Sequence, residues 1–252
     1  MGQLKISELN NFVNKNISMF HNSKLEKLKE VKLKELLKKK NPYLFKAKNI
    51  SVAGDLVKGI LDASLSSSED ALLGKFLEEL AVFISSKTCG GRKSPATGID
   101  LEFKKKGVLY LVSVKSGTSW GNSQQQKKQE TDFQTAVKVL KQSKRVKHVE
   151  PVLGICYGKV KTSYVRGYLK VVGQNFWYLI SENENLYTDI IEPLGYRAKE
   201  HNAKFRREKS KIINIFTKEF FDRFCDDGAI NWRKLVEFNS GNLGRGVAIS
   251  NL

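Results

Sequence analysis

A mixed α/β fold is what this sequence predicts: a small mixed sheet with one interleaved helix, flanked by helices and preceded by a helical N-terminal region. Three observations predict it. Two short strand-like runs, 98–104 and 108–115, are joined by the turn Lys104-Lys105-Lys106-Gly107. A helical pattern from about Gln124 to Lys144 separates that pair from the next apolar run. Apolar stripes at helical period occupy both flanks.

Taken in order, residues 1–50 form a basic helical region with twelve lysines against four glutamates. Leu25, Leu28, Val31, Leu36 and Leu37 make its apolar stripe. Asn41-Pro42 ends it, because the residue before a proline is pushed out of helical geometry. The main domain is expected over 51–238. It opens with a helix over Val52 to Ala63. Ser66, Ser67 and Ser68, ahead of Glu69 and Asp70, read as N-caps of a second helix from Glu69 to Ser85. Leu72, Leu73, Phe76, Leu80 and Phe83 form that helix's apolar face. A basic loop, Cys89 to Pro95, leads into the strand pair. Trp120 to Ser123 is a turn capping the interleaved helix. Pro151 to Gly158 reads as a buried strand, and Tyr168–Val172 with Phe176–Ile180 as a further strand pair. Beyond Tyr187 the pattern is helical, with an amphipathic run from Ile212 to Phe224. The glycine- and asparagine-rich tail, 239–252, is expected to be flexible.

The chain has 252 residues, is 40% hydrophobic and carries a formal net charge of +18. It can bury a sizeable core, and its charge points to nucleic acid as first partner and an anionic membrane as second. No segment approaches the roughly 20 apolar residues of a membrane span, and the N-terminus has no apolar signal core. No membrane partner is therefore expected. Cys89, Cys156 and Cys225 are odd in number and widely spaced, which argues against a disulfide framework or zinc site and fits a reducing cytoplasm. His21, His148 and His201 are too scattered for a histidine-rich metal cage.

The strand pair holds the candidate chemistry. Asp100 lies on the first run and Lys115 ends the second. Metal-dependent phosphodiester hydrolysis needs carboxylates to hold the ion and a cation to offset charge growing on the phosphate. Lys115 closes a run that is otherwise apolar (Val108, Leu109, Leu111, Val112, Val114), so solubility does not explain it. Alternation puts Asp100 and Glu102 on one face, and Ser113 and Lys115 on one face. Whether those faces coincide depends on the turn register.

Gly98-Ile99-Asp100 followed by Ser113-Val114-Lys115 resembles the PD-(D/E)XK nuclease motif. Longer blocks are similar to the PmeII-type family of type II restriction endonucleases: Asn41 to Phe45, Ser66 to Glu69, Gly74 to Glu78, Ser116-Gly117 with Trp120 to Ser123, Gly173 to Trp177, and Ile191 to Gly195. They run from about residue 40 to 205. The resemblance implies a restriction-endonuclease-like core and a Mg2+-dependent homodimer that cuts both strands of a short, near-palindromic site in double-stranded DNA. It also implies a cognate DNA methyltransferase in the genome, though not as a stable complex. The motif's acid two residues before the lysine is Ser113 here, and serine supplies no ligand charge. Some members of the superfamily move that carboxylate to the following helix. Glu130, fifteen residues after Lys115, is similarly placed and is the expected metal ligand. Asp132 and Glu102 are its rivals, and Glu130 and Asp132 both flank the stripe Phe133, Ala136, Val137, Leu140. Glu78 is similar to the glutamate that the superfamily places on the helix before the sheet, with Glu79 as its solvent-facing neighbour.

DNA contacts are expected from Arg92 and Lys93, from Ser116, and from Asn122, Gln124, Gln125, Lys127 and Lys128 around the start of the interleaved helix. Helix N-termini bind phosphate, and glutamine can read adenine edges. Arg206 and Arg207 are expected to join them, within a stretch (197–211) of seven cations against two acids. The competing functions are a structure-specific repair or junction-resolving nuclease, and a DNA-binding module on a dead nuclease core.

Overall fold

A computed structural model of the chain describes residues 4–142, 146 and 148–242. They begin with α1 (Ile6–Glu30), α2 (Leu33–Lys39), α3 (Pro42–Ala47) and the long α4 (Ala53–Thr88). Next come β1 (Arg92–Lys93), β2 (Leu101–Lys105), β3 (Val108–Lys115), α5 (Ser123–Gln142), β4 (His148–Ile155), β5 (Ser163–Val165) and β6 (Tyr168–Val172). The rest is α6 (Gln174–Ser181), α7 (Leu186–Asp189), α8 (Ile191–Leu194), α9 (Ala198–Phe224), the hairpin β7 (Cys225–Asp226) and β8 (Ala229–Ile230), and α10 (Trp232–Ser240).

The mixed α/β architecture is the expected one. Six strands form a sheet in the order β1-β2-β3-β4-β6-β5. β1, β2 and β3 are antiparallel neighbours, β3, β4 and β6 run parallel, and β5 returns antiparallel at the far edge. Alternating side chains feed two apolar layers. Leu101, Phe103, Val112, Val114 and Val152 pack with Leu9 and Val13 of α1, Leu80 of α4 and Phe176 of α6. Leu109, Leu111, Leu153 and Ile155 pack with Phe133 and Ala136 of α5 on the other face.

The chain divides into two compact units. One comprises the described residues up to Phe20 with Ala71–Ala198, and it contains the six-stranded sheet. The other comprises His21–Asp70 with the described residues from Lys199 onward. It is mainly helical, around Leu28, Leu33, Leu56, Leu61, Phe216 and Phe220. Among the described residues no helix is long and apolar enough to cross a membrane.

Several elements correct the expectations. Ser66–Ser68 do not open a helix, because α4 runs through them unbroken. Ser67 and Ser68 donate to the carbonyls of Ala63 and Ser64 at 3.1 and 3.3 Å, so these hydroxyls are satisfied inside a helix and cap nothing. Phe176–Ile180 is not a strand. Gly173, at φ 58°, turns the chain into α6, where Phe176, Trp177 and Ile180 bury one helical face. Asn41-Pro42 separates two helices as expected but also starts one: Asn41 Oδ1 accepts from the Tyr43 and Leu44 amides at 3.0 and 3.3 Å. Two hairpins were not expected, β5–β6 turning at Arg166-Gly167 and β7–β8 turning at Asp227-Gly228. Positive φ at both residues (50° and 83°, 48° and 81°) is the backbone that suits a two-residue hairpin turn. The end of the helix expected to reach Lys144, and most of the tail over 239–252, lie outside the described residues.

Candidate active site

The hairpin register resolves the question of faces. Leu101 pairs with Val112 and Glu102 with Leu111, so Asp100, just before β2, stands beside Ser113. Asp100, Glu102, Ser113 and Lys115 therefore share the α5 face of the sheet. The Asp100 amide donates to the Val112 carbonyl at 2.9 Å, and the Val114 amide donates to Asp100 Oδ2 at 2.6 Å. Lys115 Nζ lies 3.9 Å from the same oxygen and 5.6 Å from the centre of the Trp120 ring. These contacts all fall on Oδ2.

Beneath this pair is a residue that sequence reasoning missed. Ser113 is fully buried, and its hydroxyl is 2.8 Å from Gln129 Oε1 and 3.3 Å from Asp100 Oδ2. A hydroxyl has one proton, and the shorter contact takes it. Gln129 Nε2 donates to the Gly98 carbonyl at 3.0 Å. One amide thus ties α5 to β3 and to the loop that presents Asp100. The signal was present in the sequence: Gln129 lies four residues before Phe133 and seven before Ala136, in phase with the buried stripe. Gly98 is also constrained. It sits at φ 74°, and a Cβ there would come within 2.3 Å of Asp132 Oδ2.

Glu78 arrives from α4. That helix passes the end of β3 closely enough that a Cβ on Gly74 would lie 3.7 Å from Ser116 Oγ, and Glu78 is one turn further along. Glu78 is half-buried, with Oε1 3.9 Å from Lys93 Nζ. Burial pushes its carboxyl up and the Asp100 charge pushes it further, against the pull of Lys93 and Lys115. Two carboxylates in mutual repulsion are the electrostatic complement of a divalent cation. Mg2+ prefers such hard oxygen donors and needs only one or two carboxylates beside water and phosphate. The donors present fit that ion, and Asp100 and Glu78 are carboxylates that would hold it. The described residues contain no cluster of three or more histidine, cysteine or acidic side chains suited to a metal.

The other candidate acids have neighbours of their own. Glu102 is buried, 2.7 Å from the Arg92 guanidinium and 3.1 Å from Ser94 Oγ, so Arg92 serves as its counter-ion. Glu130 is half-buried, accepts from Gln134 Nε2 at 3.4 Å, and adds its charge to the field at the Tyr168 phenol. Asp132 packs on Gly98. The α5 residue set against Ser113 is Gln129, one position before Glu130.

Among the expected DNA contacts, Asn122 and Gln125 cap α5 reciprocally. The Gln125 amide donates to Asn122 Oδ1 at 3.0 Å and the Asn122 amide to Gln125 Oε1 at 2.9 Å. Gln124, Lys127, Lys128 and Lys93 are exposed, and Ser116 is half-buried. Arg206 and Arg207 are exposed on α9, in the second unit.

Residues 7–202 match the family model of the type II restriction endonuclease EcoO109I. No curated protein matches the chain.

Proposed function

The chain belongs to the EcoO109I family of type II restriction endonucleases, and from that we propose that it hydrolyses double-stranded DNA at a short specific sequence, with Mg2+, as a cytoplasmic homodimer. Its host would carry a cognate DNA methyltransferase. The finer likeness to the PmeII type rests on the sequence blocks alone. The observation that carries the catalytic reading is the Asp100–Lys115 contact at 3.9 Å at the end of β3, with the repelled carboxylate of Glu78 beside it.

A divalent ion bound there supplies acidity to an attacking water and draws charge from the phosphate. The other roles belong to the chain. Asp100 is held in one pose by the Val114 amide. The Lys115 ammonium lies over Trp120 and offsets charge on the phosphate. Gln129 fixes Ser113 and the Gly98 loop. Lys93, Gln124, Lys127 and Lys128 would meet the DNA directly, while Asn122 and Gln125 would act by keeping the α5 N-terminus in shape for a phosphate.

The test is digestion of mixed plasmid and phage DNA with the purified protein, in Mg2+ or in EDTA. Discrete fragments in Mg2+ alone are expected, and Asp100→Asn should abolish them. A smear would replace this reading with a shape-specific repair or junction nuclease. Intact DNA that still shifts on a gel would make the protein a binder, the second reading, which Ser113 in the place of the motif's acid favours.

A further inference from the structure

On the reading that this chain cuts DNA, we propose that Arg166 and Lys170 form a second, phosphate-binding subsite for the DNA backbone beside Lys115. Lys170 of β6 pairs with Leu153 of β4, and Leu153 pairs with Ser113 of β3. Paired residues share a face, so Ser113 and Lys170 stand in one row on the α5 side. With strands about 4.8 Å apart, Lys170 lies about 10 Å along the sheet from Ser113. A cavity of about 210 Å³ is lined there by Thr118, Trp120, Gln126, Arg166 and Lys170, among others. Trp120 is also the ring under Lys115 Nζ, so the cavity and the proposed catalytic lysine share a wall.

Neither Arg166 nor Lys170 forms an ion pair among the described residues, and the Glu130 charge reaches the cavity only as a field at Tyr168. Lys170 is half-buried within a strand and has no carboxylate partner among the described residues. A partly desolvated cation is costly until an anion joins it. Arg166 projects from the β5–β6 turn. Residues 157–172 contain four cations (Lys159, Lys161, Arg166, Lys170) and no acid. The segment is also fixed to the end of β3. The Cys156 and Tyr157 amides donate to the Lys115 and Ser116 carbonyls at 2.8 and 3.0 Å. A Cβ on Gly117 would meet the Tyr157 ring at 2.5 Å, and Asn175 Nδ2 donates to Thr162 Oγ1 at 3.0 Å. A guanidinium fork and an ammonium held together beside a nuclease centre match the charge and oxygens of a phosphodiester.

The experiment is fluorescence anisotropy of a mixed-sequence DNA duplex across a salt series in EDTA. It compares the wild type with Arg166→Gln, Lys170→Met and the control Arg233→Gln, which removes a charge already paired with Glu237. Each subsite variant should weaken binding several-fold and lower the slope of log affinity against log salt by about one. The control should keep the wild-type slope. Unchanged slopes in both subsite variants, or an equal loss in the control, would overturn the subsite while leaving the DNA-cutting reading intact. A wild type without steep salt dependence would overturn both. If Lys170→Met fails to fold, Arg166→Gln, at an exposed turn, decides the matter alone.

Discussion

Lys115 owes its setting to three neighbours: Asp100 draws it, Trp120 lies beneath it, and an apolar strand holds its backbone. Lys115→Ala should leave DNA binding nearly intact and cut the cleavage rate at least 100-fold, read by plasmid digestion beside a gel shift. Gln129 is a separate case, a buried amide bonded at both ends. Gln129→Leu should cost about 1–3 kcal/mol, since it leaves the Gly98 carbonyl without its partner and the Ser113 hydroxyl with only its longer contact to Asp100. Adding Ser113→Ala should recover part of that loss, a coupling that a double-mutant cycle in denaturant would measure. Glu78 links stability to pH. Its carboxyl is raised in the folded state, so the folded chain binds the extra proton. That contribution is complete below the unfolded pKa and is lost as pH rises through the folded value. At neutral pH in EDTA, Glu78→Gln should therefore melt higher than wild type, by roughly 2 °C, while cleavage falls. A lower melting point would mean that burial and the Asp100 charge do not govern this position.

Elements show how local patterns and packing divide the work. β3 spans Val108–Lys115, the range read from its apolar run, because a continuous apolar run bounded by Gly107 and Ser116-Gly117 has little freedom in its limits. α4 is the opposite case. A serine cluster before two acids is a helix-start pattern, yet the buried Leu65, Phe76 and Leu80 favour one continuous helix. Ser67→Ala and Ser68→Ala should accordingly leave stability unchanged or raise it by a few tenths of a kcal/mol, whereas loss of a real N-cap costs about 1 kcal/mol. Asn122 does cap a helix, so Asn122→Ala should show that cost of about 1 kcal/mol in thermal or chemical denaturation. The two missed hairpins carried a legible signal in Asp227-Gly228 and Arg166-Gly167, but strands of two or three residues are too short to show alternation.

For the whole molecule, the net charge of +18 states what it meets, and the two units state how it can respond. The second unit holds a stacked histidine pair, His21 and His201, with ring centres 4.5 Å apart and planes 5° apart. Burial, then the His201 charge, depress the His21 imidazole to about 4. The folded state prefers it neutral, so stability present above an unfolded value of about 6.5 is lost as pH falls toward 4. His21 is only partly buried, and after solvent screening the loss should be of order 1 kcal/mol. Hydrogen exchange should then show α9 amides opening faster at pH 5 than at pH 7, and His21→Phe should flatten that difference.

The sequence by itself determined the basic character, the strand pair carrying Asp100 and Lys115, and the apolar stripes. Each of these follows from a residue's type or from the period of its near neighbours. Only the tertiary structure decided that Asp100 and Lys115 share a face, that Glu102 belongs to Arg92, and that Gln129 stands under Ser113. One residue on a helix is a turn of about 100°, so which α5 side chain meets Ser113 depends on how α5 sits on the sheet. The bonds from Gln129 to Ser113 and Gly98 span 16 and 31 residues of chain. Partners so distant in sequence exist only once sheet and helix have met, and no local period encodes that contact.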